Sequence, residues 1–147
     1  MMLETKPRVL FVCTHNAARS QMAEVLLRHY AGERFEVLSA GHSPTEVHPL
    51  TRQALADIGL DSSGLQAKGL DLFFAKVSIA YAIIVCEQVE DDCPRLYPFA
   101  LNTLYWPFDD PTEAEGSTAE RSHAFRTVRD QIARRVRAWL QELEVST

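Results

Sequence analysis

The sequence predicts an α/β fold in which helices cover both faces of a four-stranded parallel sheet, giving a three-layer α/β/α arrangement. Short, continuously apolar segments alternate along the chain with segments that carry apolar residues at helical spacing. Strands that are apolar on both faces are typical of a parallel sheet covered on both sides. No repeat, linker or low-complexity tract divides the 147 residues, so we expect a single domain over residues 1–147.

The four expected strands are short and rich in β-branched or aromatic residues. They cover Arg8–Cys13, Phe35–Ser39, Ile79–Cys86 and Leu101–Trp106. The third has the most apolar composition, which favours a position in the centre of the sheet. We expect a turn at Ala40–Pro44 after the second strand and a long polar loop at Pro107–Ser117 after the fourth.

The expected helices lie between and after these strands. They cover Ser20–Tyr30, a segment that opens at His48-Pro49 and closes at Gly59, Leu70–Val77, and Thr118–Leu143. Gly32 ends the first helix, and Pro49 is favourable near the start of the second. The last helix carries apolar residues at helical spacing from Phe125 to Leu143, which indicates one face packed on the sheet.

Charge and composition exclude several classes of protein. Lys plus Arg number 15 and Asp plus Glu number 20, and the net charge of −5 argues against a nucleic acid or an acidic membrane as partner. No apolar run approaches the ~20 residues of a membrane span, and Met1–Arg8 lacks the apolar core of a signal peptide. The three cysteines, an odd number, indicate either buried filler or thiol chemistry in a reducing compartment. We expect a cytoplasmic monomer.

A cysteine and an arginine separated by five residues stand between the first strand and the first helix, in Cys13-Thr-His-Asn-Ala-Ala-Arg19-Ser20. Such a loop can turn successive backbone N–H groups inward, and the following helix adds the positive end of its dipole. Arg19 can hold two oxygens of a tetrahedral anion, and the same field stabilises a nucleophilic Cys13 thiolate. The expected oxyanion-binding residues are Thr14, His15, Asn16, Ala17, Ala18, Arg19 and Ser20. The alternative is a buried structural cysteine followed by an incidental arginine.

Two further groups follow the ends of strands. Cys86 ends the third expected strand, and Asp109-Asp110 follows the fourth. Ligands of open α/β sheets bind beyond the carboxyl ends of the strands, so we expect these groups to lie near Cys13. Taken alone, Cys86 is equally well explained as core packing, and Asp-Asp-Pro is better explained as an ordinary turn. Cys86 and Cys93 do not predict a zinc site, because six residues separate them and no histidine pair completes the ligand set.

Several segments carry a family resemblance over nearly the whole chain. They are Cys13-(X5)-Arg19-Ser20 after Val-Leu-Phe-Val, Gln21-Met-Ala-Glu24, Ser39-Ala-Gly41, Val47-His-Pro49, Trp106-Pro-Phe-Asp-Asp-Pro111 and Val128-Arg-Asp-Gln-Ile132. Together they resemble the low-molecular-weight protein tyrosine phosphatase superfamily. Gln21 after Arg-Ser, the acid loop before Pro111, and the spacing of Cys86 and Cys93 resemble the thioredoxin-coupled arsenate reductases of that superfamily.

The resemblance implies that three thiols act in sequence to reduce arsenate, with phosphate or sulfate as competing oxyanions. Cys13 attacks arsenate, Cys86 attacks the Cys13 sulfur as arsenite departs, and Cys93 resolves the product as a Cys86–Cys93 disulfide. We expect the loop between Cys86 and Cys93 to rearrange then and expose the disulfide. The resemblance implies no bound cofactor or metal, but an external dithiol reductant, thioredoxin. Glutaredoxin or a low-molecular-weight thiol is the alternative, because His15-Asn16-Ala17 resembles branches that use other thiols.

The resemblance assigns the role of general acid to Asp110, with Asp109 as the competing candidate. Two other functions remain open. One is a low-molecular-weight protein tyrosine phosphatase that hydrolyses phosphate monoesters, because phosphate and arsenate are both tetrahedral oxyanions. The other is a non-catalytic oxyanion or arsenical sensor, although a sensor does not require an acid loop.

Supporting residues surround the predicted cradle. We expect Asn16 to bond across the loop and to tolerate a left-handed backbone, and His15 to point outward. Ser20 is expected either to donate to the Cys13 thiolate or to cap the helix. Some members of the family bind a monovalent cation through positions that match Asn16, Glu24 and Ser39. Their fourth position matches Lys68, whose ammonium can take the place of the cation; the alternative is a solvated surface lysine.

Overall fold

A computed structural model describes residues 6–145 and confirms the four-stranded parallel sheet. Its strands are β1 (Arg8–Cys13), β2 (Glu36–Gly41), β3 (Ile79–Ile84) and β4 (Ala100–Tyr105). They are ordered β2-β1-β3-β4, with all neighbours parallel. The central position of β3 was predicted, and β1 lies beside it. Val9, Leu10, Phe11 and Val12 of β1 are fully buried, which shows that both faces of the sheet are covered.

Within the described residues, three α-helices accompany the sheet. They are α1 (Arg19–Ala31), α2 (Pro49–Ala56) and α3 (Thr118–Val145), and short 3₁₀ turns lie at Leu70–Leu72 and Pro111–Glu113. Among the described residues, no helix is both long enough and apolar enough to cross a membrane. Residues 1–5, part of the N-terminal stretch predicted to lack a signal-peptide core, lie outside the described residues.

Several predicted elements differ from the structure in type or in bounds. The helix predicted over Leu70–Val77 is only a 3₁₀ turn, and α2 ends at Ala56 rather than at Gly59. The turn predicted from Ala40 begins two residues later, because Gly41 still pairs with Cys13 of β1 and its N–H donates to the Lys68 carbonyl (2.8 Å). The end of β2 is therefore held from both sides next to the end of β1.

Trp139 anchors α3 across the sheet. Its ring lies 5.6 Å from Phe35, 5.0 Å from Tyr81 and 5.7 Å from Trp106, between ring centroids. Trp106 and Trp139 are both buried, as expected of packing residues. The Arg135 guanidinium lies 4.7 Å from the centre of the Trp106 ring, so this charged side chain of α3 also packs against the tryptophan. This packing fixes the segment that leads from β4 into the acid loop.

Candidate active site

The loop between β1 and α1 turns its carbonyl groups away from its own concave side. The carbonyl oxygens of Cys13, Thr14, His15 and Ala17 accept hydrogen bonds of 2.8–3.2 Å from the N–H groups of His42, Ser43, Thr45 and His48. Because each peptide unit is planar and trans, the N–H groups of the same units point the opposite way. Within residues 6–145, the N–H groups of residues 15–19 have no protein acceptor. This geometry supports the predicted oxyanion cradle.

Asn16 fixes the shape of this loop. Its backbone has a φ of 54°, the left-handed conformation that its short polar side chain tolerates. Its Nδ2 donates to Ser20 Oγ (2.7 Å) and to Ser39 Oγ (3.0 Å). Its Oδ1 accepts from Lys68 N (2.9 Å) and Gln21 Nε2 (2.9 Å). The side chain thus ties the loop to α1, β2 and the segment after α2.

Two supporting residues differ from expectation. Ser20 accepts from Asn16, and no contact with the Cys13 thiol is found in the part of the chain described here. Ser20 is not a helix cap either, because α1 already begins at Arg19. His15 is half-buried rather than outward-facing, and its Nδ1 lies 3.0 Å from the Ser43 carbonyl oxygen. The contacts found for both side chains are with the protein around the loop, so they stabilise the shape of the loop.

Gly41 lets the end of β2 approach the cradle loop closely. A Cβ atom there would lie 2.8 Å from Asn16 N, 2.8 Å from Thr14 O and 2.9 Å from the His15 carbonyl carbon. Any side chain would therefore displace the backbone of the loop. The close approach is what allows the segment after β2 to bond to the loop carbonyls.

Arg19 is the first residue of α1, and its side chain is buried at the concave side of the loop. Its Nη1 and Nη2 donate to the two carboxylate oxygens of Glu90, at 2.6 Å and 2.7 Å. Nη1 also donates to the Phe108 carbonyl (3.1 Å), and Nη2 lies 3.5 Å from Asp110 Oδ2. Burial alone would lower the pKa of Arg19, but these carboxylates and Cys13 raise it above its ordinary value. The guanidinium is therefore a permanent positive charge.

The three cysteines lie at one edge of the sheet. Val12 pairs with Ile84, and Val85 N–H donates to the Val12 carbonyl (2.9 Å), so Cys13 and Cys86 leave adjacent strands side by side. Cys86 and Cys93 form a disulfide, whereas Cys13 is a free, buried thiol.

The disulfide is buried, contrary to the expectation that its formation exposes it. Cys86 is 0% and Cys93 7% exposed. Gln88 Nε2 lies 3.6 Å from Cys93 Sγ and donates to the Pro94 carbonyl (3.1 Å), which holds the loop over the bond. A reductant therefore needs this loop to open.

Asp110 faces the cradle from the loop after β4. Its Oδ1 accepts from Thr112 N (3.0 Å) and Thr112 Oγ1 (2.7 Å), which leaves Oδ2 towards Arg19. The competing candidate, Asp109, is exposed. Together with Cys13 and Arg19, Asp110 lines a cavity of about 10 Å³. This arrangement favours Asp110 as the acid.

An acidic groove opens outside this cavity. It has a volume of about 620 Å³. Its acidic lining residues are Glu87, Glu90, Asp91, Asp92, Asp109, Asp110 and Glu113. The excess of negative charge is thus concentrated at the site entrance, so an anion must be held by the cradle itself.

Lys68 lies beside Glu24, at the outer side of the cradle loop. Its Nζ is 3.8 Å from Glu24 Oε1, which also accepts from Ser39 Oγ (2.6 Å). Burial lowers the pKa of Lys68 below its ordinary value, and Glu24 offsets this only in part. The ammonium thus lies where the resemblance places a cation, and it is not a fully solvated lysine. No group of three or more His, Cys, Asp or Glu side chains within residues 6–145 is arranged to hold a metal ion.

Three residues of this site had no role assigned from the sequence. Thr112 follows Asp110 at the spacing of an Asx turn, a signal that could have identified it. Gly41 belongs to a segment that carries the resemblance, but its close approach to a distant loop is not visible in the sequence. Glu90 is 71 positions from Arg19, and nothing in the sequence links the two residues.

Comparisons with known proteins agree with this geometry. Residues 8–147 match the family described as low molecular weight phosphotyrosine protein phosphatase. An arsenate reductase of Shouchella clausii (strain KSM-K16) is 34% identical over 137 residues, which cover 93% of this chain and 97% of the relative. That of Bacillus subtilis (strain 168) is 31% identical over 133 residues, covering 90% and 94%.

The chain is also similar to solved structures of arsenate reductases. An arsenate reductase in its phosphate-binding state superposes with a TM-score of 0.77 at 27% identity, covering 92% of this chain and 98% of the other. A thioredoxin-dependent arsenate reductase of Corynebacterium glutamicum has a TM-score of 0.68 at 31% identity, covering 99% and 66%.

Proposed function

The chain belongs to the low molecular weight phosphotyrosine protein phosphatase family, and we propose that it is an arsenate reductase that detoxifies arsenate through three cysteines. The observation that carries the proposal is the Cys86–Cys93 disulfide beside the free thiol of Cys13. Hydrolysis of a phosphate ester needs one thiol and an acid, whereas reduction must also deliver two electrons. A thiol pair next to the nucleophile supplies them.

The first step takes place in the cradle. Arg19 and the inward N–H groups hold the oxygens of arsenate, and the Cys13 thiolate attacks arsenic. A bond forms between sulfur and arsenic, and one arsenic–oxygen bond breaks. Asp110 donates a proton to the departing oxygen, which leaves as water.

The next two steps move the electrons. The Cys86 thiolate attacks the Cys13 sulfur, the sulfur–arsenic bond breaks, and its electron pair stays on arsenic, which leaves as arsenite. The Cys93 thiolate then attacks the Cys86 sulfur and releases Cys13 as a thiolate. The protein is left with the disulfide seen between Cys86 and Cys93.

An external dithiol must then restore the two thiols. We assign this role to thioredoxin, which the name of the Corynebacterium glutamicum relative supports, with glutaredoxin or a small thiol as the alternative. The proposal requires no resident cofactor or metal. We also propose a cytoplasmic location, because catalytic thiols are kept reduced in that compartment. The proposed oligomeric state is a monomer.

A thiol count after incubation with arsenate, without reductant, tests the proposal. The fully reduced protein should fall from three free thiols to one, with one equivalent of arsenite released and a Cys86–Cys93 disulfide found by peptide mass mapping. Phosphate in place of arsenate is the control and should leave all three thiols free. Three free thiols after arsenate would contradict the proposal and favour the phosphatase, for which Cys13, Arg19 and Asp110 suffice.

A further inference from the structure

The Glu90 carboxylate is held at the mouth of the cradle by four hydrogen bonds. Two come from the Arg19 guanidinium, at 2.6 Å and 2.7 Å. A third comes from the Thr14 hydroxyl (3.1 Å), and the fourth from the Glu87 backbone N–H (2.8 Å). Arg19 and Thr14 both belong to the predicted oxyanion-binding set. A carboxylate of the protein thus uses donors that a bound oxyanion would need.

The charges of this pair reinforce the contact. Burial alone would raise the pKa of Glu90, but the hydrogen bonds from Arg19, Glu87 N–H and Thr14 outweigh it and lower the pKa below its ordinary value. Glu90 is therefore ionised at neutral pH. The Arg19 side chain is only 2% exposed, so little water competes for its fork.

Glu90 and an oxyanion compete for the same donors. Both guanidinium nitrogens of Arg19 and the Thr14 hydroxyl are bonded to the Glu90 carboxylate, so an oxyanion can be held by them only if Glu90 withdraws. The inner cavity lined by Cys13, Arg19 and Asp110 measures about 10 Å³, about the space of a single water molecule. Glu90 does not line that cavity, so the competition rests on the shared donors.

The disulfide defines the loop that presents Glu90. The loop consists of two consecutive turns, in which Glu90 N–H donates to the Glu87 carbonyl (3.0 Å) and Cys93 N–H to the Glu90 carbonyl (3.3 Å). The disulfide holds the Cα atoms of Cys86 and Cys93 5.8 Å apart. Glu90 therefore lies at the junction of two turns whose ends are covalently tied, and reduction removes that tie.

We propose that Glu90 acts as an internal anion that occupies the oxyanion cradle when the Cys86–Cys93 disulfide is present, and leaves it when the disulfide is reduced. The inference rests on the proposed function, because it assigns a purpose to the oxidised state. In the oxidised protein Cys13 is a free thiol, but Cys86 and Cys93 are joined and cannot supply the two electrons that arsenate reduction needs. Glu90 in the cradle keeps arsenate out until the reductant has acted. After the reaction the released arsenite is neutral and does not compete for Arg19, so Glu90 can bind Arg19 again.

Phosphate affinity in the two redox states tests this inference without any turnover. Wild type and Glu90→Gln are each prepared with one free thiol and with three, and phosphate binding is measured by calorimetry at fixed ionic strength. In wild type we expect the dissociation constant of the oxidised form to exceed that of the reduced form by about tenfold or more. In Glu90→Gln, which keeps the shape but lacks the charge, that ratio should fall towards one.

Asp91→Asn is the matched control, because it removes one negative charge from the same loop at a residue that does not contact Arg19. Its ratio should equal that of wild type, and mass mapping verifies the disulfide in every oxidised sample. Equal phosphate affinity of oxidised and reduced wild type would overturn the inference, as would an unchanged ratio in Glu90→Gln. Neither result depends on arsenate reduction, so failure of the proposed function is detected separately by the thiol count.

Discussion

Thr112 holds Asp110 through both its backbone N–H (3.0 Å) and its hydroxyl (2.7 Å), and both bonds end on the same carboxylate oxygen, Oδ1. The other oxygen, Oδ2, lies 3.5 Å from Arg19 Nη2 and is the one available to a substrate. The two oxygens of one carboxyl group thus have different tasks. Thr112 orients the group, and we propose that Oδ2 carries the proton to the departing oxygen.

We expect Asp110→Asn to slow arsenate reduction by about 10²–10⁴-fold, the usual contribution of a positioned general acid. The amide keeps the bonds to Thr112 but has no proton to transfer. The rate is measured in a single turnover of fully reduced protein, so that the external reductant does not limit it. Asp109→Asn, in the adjacent exposed residue, is the control and should retain nearly the full rate; a larger loss there would move the acid to Asp109.

Replacing Cys93 by serine should trap the reaction one step early. Cys86 can still attack Cys13, but nothing then resolves the bond, so we expect a Cys13–Cys86 disulfide to accumulate after arsenate is added. Peptide mass mapping identifies it. Cys86→Ser is the companion variant and should lose multiple-turnover reduction; continued turnover without Cys86 is incompatible with the sequence of steps.

Gly41→Ala should damage both stability and oxyanion binding. The added methyl group would lie within 2.9 Å of three backbone atoms of the cradle loop, which cannot yield as a flexible side chain can. We expect a loss of about 1–3 kcal/mol in the free energy of unfolding in urea, with weaker phosphate binding to the reduced form.

Gly64→Ala is the control for this substitution, because no heavy atom of residues 6–145 outside Gly64 and its two chain neighbours lies within 4 Å of its added Cβ. It should change the free energy of unfolding by less than about 1 kcal/mol and leave phosphate binding intact. Equal effects of the two substitutions would show that the close approach of β2 to the loop is unimportant.

We propose that Lys68 makes the protein independent of potassium. Its ammonium lies 3.8 Å from Glu24 Oε1, so a positive charge already faces that carboxylate. We expect equal rates of arsenate reduction in potassium chloride and in the chloride of a bulky organic cation, at the same ionic strength. A clear rise in rate with potassium would show that a cation site survives beside Lys68.

The fold was predictable because its strands are marked by local composition. β1 and β3 are continuous apolar runs, and the left-handed backbone of Asn16 follows from its position in a tight polar loop. The ends of elements were less predictable. β2 extends to Gly41 because the neighbouring strand and Lys68 supply hydrogen-bond partners, and such partners leave no trace in the local sequence.

The site also has a part that was predictable from the sequence and a part that was not. The predictable part lies at strand ends or at the start of a helix, where the topology alone brings together Cys13, Arg19 and Asp110. The contact of Glu90 with Arg19 could not be predicted, because it depends on the curvature of a loop closed by a disulfide. An acidic loop ordinarily indicates a solvated surface, and only the buried Arg19 guanidinium changes that interpretation for one of its carboxylates.

The way in which the two halves of the site are attached has a consequence for their motion. The cradle loop is bonded along its carbonyls to the segment after Gly41, and thus to the sheet. The turns that carry Glu90 are bonded mainly within themselves and through side chains such as Gln88. We expect segments attached in these two ways to open separately, with slow hydrogen exchange of the His42, Ser43, Thr45 and His48 amides that bond to the cradle loop, and fast exchange of the amides in the turns that carry Glu90. Access to the disulfide therefore does not require the anion site to unfold.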